Sequence, residues 1–170
     1  MRVGALTVIG IDPGSRRTGW GVVRETGGCL VLLECGVVRA ECGEKDFSAR
    51  LANIYHELFD ILSRHNPDEA AVEQVFTARN ALSALKLGQA RGVAVAACAA
   101  RDLRVSDYAP ALVKQSLVGT GRAEKEQVAF MVKRLLNIRE GKMPLDASDA
   151  LAVALCHLNM RRFARLTATI

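Results

Sequence analysis

Four acidic side chains sit at positions where an acid needs a reason. Asp12 closes the apolar run Ala5-Leu6-Thr7-Val8-Ile9-Gly10-Ile11 and precedes Pro13-Gly14, and Glu73 closes a second run, Ala70-Ala71-Val72. Asp146 and Asp149 open an amphipathic segment near the C-terminus. An acid at the end of a buried strand loses hydration and gains nothing from packing, so it requires a compensating partner. Two carboxylates about 4 Å apart repel by about 4 kcal/mol at an effective dielectric near 20. Four together would raise one another's pKa values unless cations were present. Hard oxygen donors in that number suit Mg²⁺ or Mn²⁺ and leave coordination positions open for phosphate and water. Each acid also has a plainer reading. Asp146 and Asp149 fit an N-cap and a first-turn acid, Asp12 fits a turn residue, and Glu73 could pair with an arginine.

The elements that would have to position these acids follow from periodicity. Residues 5–12 read as a buried strand, and Trp20 to Arg24 and Leu30 to Val38 as two more, joined by the hairpin signal Gly27-Gly28. Leu51, Ile54, Tyr55, Leu58, Ile61 and Leu62 mark one face of a helix that begins near Ser48 and stops at Asn66-Pro67. Residues 69–73 return to a strand, a helix rich in small residues runs from about Asn80 to Arg101, and a strand covers Leu103 to Asp107. Residues 109–118, the segment marked by Val128, Met131, Leu135 and Ile138, and Ala147 to Met160 complete the chain as three helices, with Gly141 and Pro144 breaking it before the last. The order β-β-β-α-β-α-β-α-α-α predicts an α/β fold, one five-stranded mixed sheet flanked by helices. Such sheets collect ligands at the carboxyl ends of their strands. If the first and fourth strands are parallel neighbours, Asp12 and Glu73 lie side by side. Asp146 and Asp149, spaced i, i+3, project from one helix face.

Composition narrows the class. The chain has 170 residues, 50% hydrophobic and 24% charged, which suits one folded domain and argues against disorder. Its longest apolar run, Val93 to Ala100, is too short to cross a bilayer, and the first residues lack the features of a signal peptide. A cytoplasmic protein without membrane contact is expected. Five cysteines (Cys29, Cys35, Cys42, Cys98, Cys156) form no paired motif and read as structural. The net charge of +5 permits a polyanionic partner without establishing one.

Several segments, taken together, resemble the RuvC family of bacterial Holliday-junction resolvases. They are Gly10-Ile11-Asp12-Pro13-Gly14-Ser15 with Thr18-Gly19, Val72-Glu73-Gln74-Val75-Phe76, Ser83 to Gly92, and Asp146-Ala147-Ser148-Asp149-Ala150-Leu151. The likeness spans nearly the whole chain in the same motif order. It implies a ribonuclease H-like nuclease domain, placed at 1–163 with a short tail at 164–170. It also implies a Mg²⁺-dependent endonuclease, with Mn²⁺ able to substitute, that makes paired cuts in strands of like polarity across a four-way DNA junction. Asp12, Glu73, Asp146 and Asp149 would be its catalytic metal ligands, holding two ions with DNA bound and leaving 5′-phosphate and 3′-hydroxyl ends.

By the same resemblance, Lys114 and Lys125 occupy basic positions used at phosphates near the cut, and Phe76 that of an aromatic wedge on opened bases. From pattern alone the lysines are solvated helix surface and Phe76 a strand-end core residue. Arg79, Lys86 and Arg122 could widen a basic surface. The junction's two-fold symmetry asks for a homodimer. The stripe Ala84, Gly88, Gly92, Ala96 could admit a partner, although burial against its own sheet fits as well. RuvA and RuvB are the partner proteins the family implies. Three rivals remain open: half of an actin-like or sugar-kinase fold, a non-catalytic junction-binding module, and a ribonuclease H-like nuclease acting on RNA.

Overall fold

A computed structural model describes residues 4–40, 46–75, 80–138 and 143–168. Its strands are β1 (Leu6–Asp12), β2 (Arg17–Thr26), β3 (Cys29–Arg39), β4 (Glu69–Glu73) and β5 (Arg104–Tyr108). Its helices are α1 (Phe47–His65), α2 (Ala81–Ala99), α3 (Pro110–Val118), α4 (Lys125–Leu135) and α5 (Leu145–Thr167). The five strands form one sheet in the order β3-β2-β1-β4-β5. β1 to β3 pair antiparallel as a meander, while β4 runs parallel to both β1 and β5. The expected mixed sheet is therefore present, with β1 and β4 as parallel neighbours.

The alternation of side chains along each strand divides the core in two. Ile9, Ile11, Trp20, Val22, Ala70 and Val72 pack under α1 and α2. Val8, Val23 and Ala71 pack under α5, which α3 and α4 cover from outside. The α1 boundaries have local causes. The Asp46 carboxylate accepts from the Ser48 N–H at 3.3 Å, and Asn66 ends the helix in the left-handed region at φ 42°.

Helix α5 is the central element. From Ala147 to Leu158 every residue except Asp149 is buried, because the helix lies between the sheet and two other helices. It approaches the sheet closely because glycines stand beneath it. A Cβ on Gly10 would lie 2.1 Å from the Ala150 carbonyl oxygen, and one on Gly19 would lie 1.9 Å from that of Asp146. Gly19 pairs with Asp12 across β1 and β2. The first turn of α5 is thereby pressed against the end of β1.

Two boundaries differ from expectation. β2 extends beyond Trp20–Arg24 at both ends, since its ladder with β1 and β3 carries glycine and charged residues along with apolar ones. The last helix continues past Met160 to Thr167, so residues 164–167, expected as tail, are helical. Nothing between Arg161 and Thr167 breaks a helix, and Arg, Ala and Leu propagate one.

The close approach of α5 makes a prediction. Gly10→Ala should cost about 3 kcal/mol or more, since its methyl meets backbone that cannot rotate away. Urea unfolding measures this, and a loss below about 1 kcal/mol would show that the helix shifts freely.

Candidate active site

Asp12 and Glu73 are the last residues of β1 and β4, and the parallel register pairs Ile11 with Val72 just before them. Asp12 shares the strand parity of Val8 and Gly10, and Glu73 that of Ala71, so both carboxylates point to the α5 side. The turn after Asp12 is tied by Thr18, whose buried hydroxyl donates to the Gly14 carbonyl at 3.0 Å. One turn into α5, Asp149 faces the same space. Asp12, Glu73 and Asp149 line a cavity of about 310 Å³ together with Lys114, Lys125, Pro110, Val113, Val128 and Ala152. Three acids and two lysines thus converge against apolar walls supplied by α3, α4 and α5.

The electrostatics follow from that crowding. The Asp12 carboxyl is pushed from 3.8 up to about 8, chiefly by its burial and then by the negative charges of Glu73 and Asp149. Glu73 is raised as well, again first by burial. The two share a hydrogen bond in which protonated Asp12 donates and Glu73 accepts. Lys125 Nζ lies 3.0 Å from Asp149 Oδ2, and this bond, more than the surrounding charge, raises the lysine's pKa. Lys114 also draws on Glu73. A proton and an ammonium together offset the acids.

The residues singled out from sequence fare differently. Asp12, Glu73, Asp149, Lys114 and Lys125 come together. Asp146 is half-buried in the first turn of α5, its backbone against Gly19, and its carboxylate does not line this cavity. Phe76 and Arg79 lie outside the described residues, as does Cys42. Lys86 sits over the Phe47 ring at 5.6 Å from its centroid, and Arg122 is exposed. His157 is structural: it bonds Glu69 Oε2 at 2.6 Å and the Tyr108 hydroxyl at 2.8 Å, toward the far end of β4. Burial pushes the Cys98 thiol up to about 12, consistent with an inert core residue. Sequence reasoning missed Thr18 as the tie of the Asp12 turn, although it stands within the quoted motif. It also missed the Lys125–Asp149 pair.

Among the described residues, no three His, Cys, Asp or Glu side chains are already arranged as a cage for an ion. The donor set nonetheless fits a hard divalent cation, because three carboxylates meet in one cavity where burial and mutual repulsion disfavour their charge and where positive charge offsets it.

The sheet order, with acids at adjacent strand ends beneath the last helix, defines a ribonuclease H-like nuclease fold. Thermus thermophilus RuvC in complex with a Holliday junction substrate superposes with a TM-score of 0.87 at 37% identity, covering 94% of this chain and 96% of that one. The yeast mitochondrial Holliday junction resolvase Ydc2 shares the fold alone, with a TM-score of 0.66 at 13% identity over 95% of this chain and 85% of that one. Residues 8–157 match the family model for crossover junction endodeoxyribonuclease RuvC. The RuvC of Oleidesulfovibrio alaskensis is 61% identical over 168 residues, covering 99% of each chain. This chain belongs to the RuvC family of crossover junction endodeoxyribonucleases.

A pH dependence follows from Asp12. Its folded pKa lies above the unfolded value, so the native state holds an extra proton between about pH 4 and about 8. Stability without metal should therefore fall as pH rises through that window. Asp12→Asn should raise the melting temperature at pH 8 by several degrees, with the gain fading toward pH 4. Thermal melts in EDTA measure this, and a pH-independent difference would contradict it.

Proposed function

We propose that this chain resolves four-way DNA junctions by paired, symmetric cuts in strands of like polarity. The observation that carries the reading is the convergence of Asp12, Glu73 and Asp149 with Lys114 and Lys125 in one open cavity at the strand ends. Family membership supplies the substrate class. Asp12, Glu73 and Asp149 would hold Mg²⁺, or Mn²⁺ in its place, with Asp146 added on the strength of the motif. When bound, paired ions supply activation of water and stabilisation of the leaving 3′ oxygen. The products are then 5′-phosphate and 3′-hydroxyl ends.

The chain's own residues do the positioning. Glu73 and Asp12 are fixed by the β1–β4 ladder and Asp149 by a buried helix, so the acids cannot separate to relieve their repulsion. Lys114 and Lys125, on neighbouring helices, offset the phosphate's charge as it nears the acids. Phe76, three residues beyond Glu73, is assigned to stacking on bases opened at the junction.

Paired cutting asks for two copies. The stripe Ala84, Gly88, Gly92 and Ala96 is exposed, whereas Ala90, Ala94, Ala97 and Cys98 bury the opposite face of α2 against its own sheet. Leu82 and Leu85, 62% and 66% exposed, flank the stripe. This supports α2 as the homodimer contact. RuvA and RuvB, implied by the family, are the expected partner proteins. Among the described residues no helix is long and apolar enough to cross a membrane, and a cytoplasmic setting with access to DNA fits this role.

Two experiments test the reading. On a mobile four-way junction, Asp12→Asn should bind like the unaltered protein when metal is absent, yet cut on the order of a thousandfold more slowly with Mg²⁺, a loss of about 4 kcal/mol. Neither protein should cut in EDTA, and cutting there by the unaltered chain would refute the metal requirement. Leu85→Lys should shift sedimentation from dimer to monomer and replace paired cuts by single nicks. A variant that stays dimeric would move the interface elsewhere.

A further inference from the structure

The Lys125–Asp149 pair joins a solvent-exposed side chain to a recessed one. The lysine side chain is 65% exposed and that of Asp149 only 22%. The backbone beneath the lysine is fixed, because Lys125 opens α4 and the Gln127 side chain accepts from the Glu124 N–H at 2.9 Å. Its stem, four methylenes on a firm base, can reach inward or swing to solvent without moving the helix. In the inward position the ammonium bonds Asp149 and is attracted by Asp12 and Glu73 as well. It therefore engages the acids that the proposed function assigns to a divalent cation.

We propose that Lys125 is the internal counter-ion of this acidic cavity, released from Asp149 when a divalent cation binds and drawn outward by a DNA phosphate. The inference rests on the reading of Asp12, Glu73 and Asp149 as the metal-binding set. A cation entering while the ammonium is in place meets a like charge within the same cavity and must compete for an oxygen already bonded. A phosphate at the cavity mouth offers the ammonium another anionic partner and clears Asp149. DNA binding thus tightens metal binding, and by linkage metal tightens DNA binding by the same factor. The free protein is held with its acids neutralised and weakly receptive to metal, and the pocket becomes fully receptive only on its substrate.

The test is a Mn²⁺ titration of the full chain, read as loss of the free-ion electron paramagnetic resonance signal, so that no turnover is needed. Without DNA, Lys125→Met, which keeps the stem and removes the charge, should bind Mn²⁺ about three- to tenfold more tightly than the unaltered protein. Lys125→Arg, which keeps the charge, should stay within about twofold. A four-way junction that the protein binds but does not cut should tighten Mn²⁺ binding to the unaltered chain, and much less to Lys125→Met. Equal or weaker Mn²⁺ binding by Lys125→Met, with Asp12→Asn abolishing it, overturns the counter-ion role while leaving the metal site standing. Mn²⁺ binding that Asp12→Asn does not affect overturns the metal assignment itself, and the inference with it.

Discussion

Repulsion among Asp12, Glu73 and Asp149 is the constraint around which this end of the molecule is arranged. Each is held by backbone that cannot yield: two strand ends in adjacent parallel ladders and one turn of a buried helix. The convergence is costly because burial removes the water that would otherwise screen the charges. Without other cations the cost is offset by a proton shared between Asp12 and Glu73 and by the Lys125 ammonium on Asp149. A site that favours positive charge this strongly suits the electrostatic needs of phosphodiester hydrolysis, where charge builds on both attacking and leaving oxygens.

The fold supplies this convergence through contact between a helix and glycine. Residues 10 and 19 are where α5 touches backbone to backbone, and Gly19 stands beside Asp12 in the ladder. These two close contacts set both the depth of the last helix and the distance of its acids from the strand ends. On the other side of the sheet, α1 and α2 pack by ordinary apolar side chains. The first turns of α2 extend into solvent with Ala84 and Gly88 outward, while the later turns bury Ala90, Ala94, Ala97 and Cys98 against the sheet.

Much of this was legible in the residues alone, for identifiable reasons. The runs ending in Asp12 and Glu73 are continuous and apolar because β1 and β4 are buried on both faces, and that pattern marks strands and their ends together. The i, i+3 spacing of Asp146 and Asp149 placed both on one face, yet it could not say which carboxylate enters the cavity. That depends on how α5 is rotated over Gly10 and Gly19, a matter of tertiary contact. The Lys125–Asp149 pair joins residues 24 apart on separate helices, beyond the reach of any periodicity. The ends of β2 were hidden because ladder pairing, and not side-chain type, extends that strand. The run past Met160 carries no breaker, and its continuation to Thr167 was there to be read.

A cation held jointly by side chains from β1, β4 and α5 must sit where Asp12, Glu73 and Asp149 converge. Anomalous diffraction from crystals grown with Mn²⁺ and a junction tests it most directly. A manganese peak bonded to oxygens of both Asp12 and Glu73 is expected, with Asp149 turned toward the pocket and Lys125 moved away from it. Manganese bound elsewhere on the protein, with the Asp12–Glu73 hydrogen bond and the Lys125–Asp149 pair intact beneath bound DNA, would contradict it.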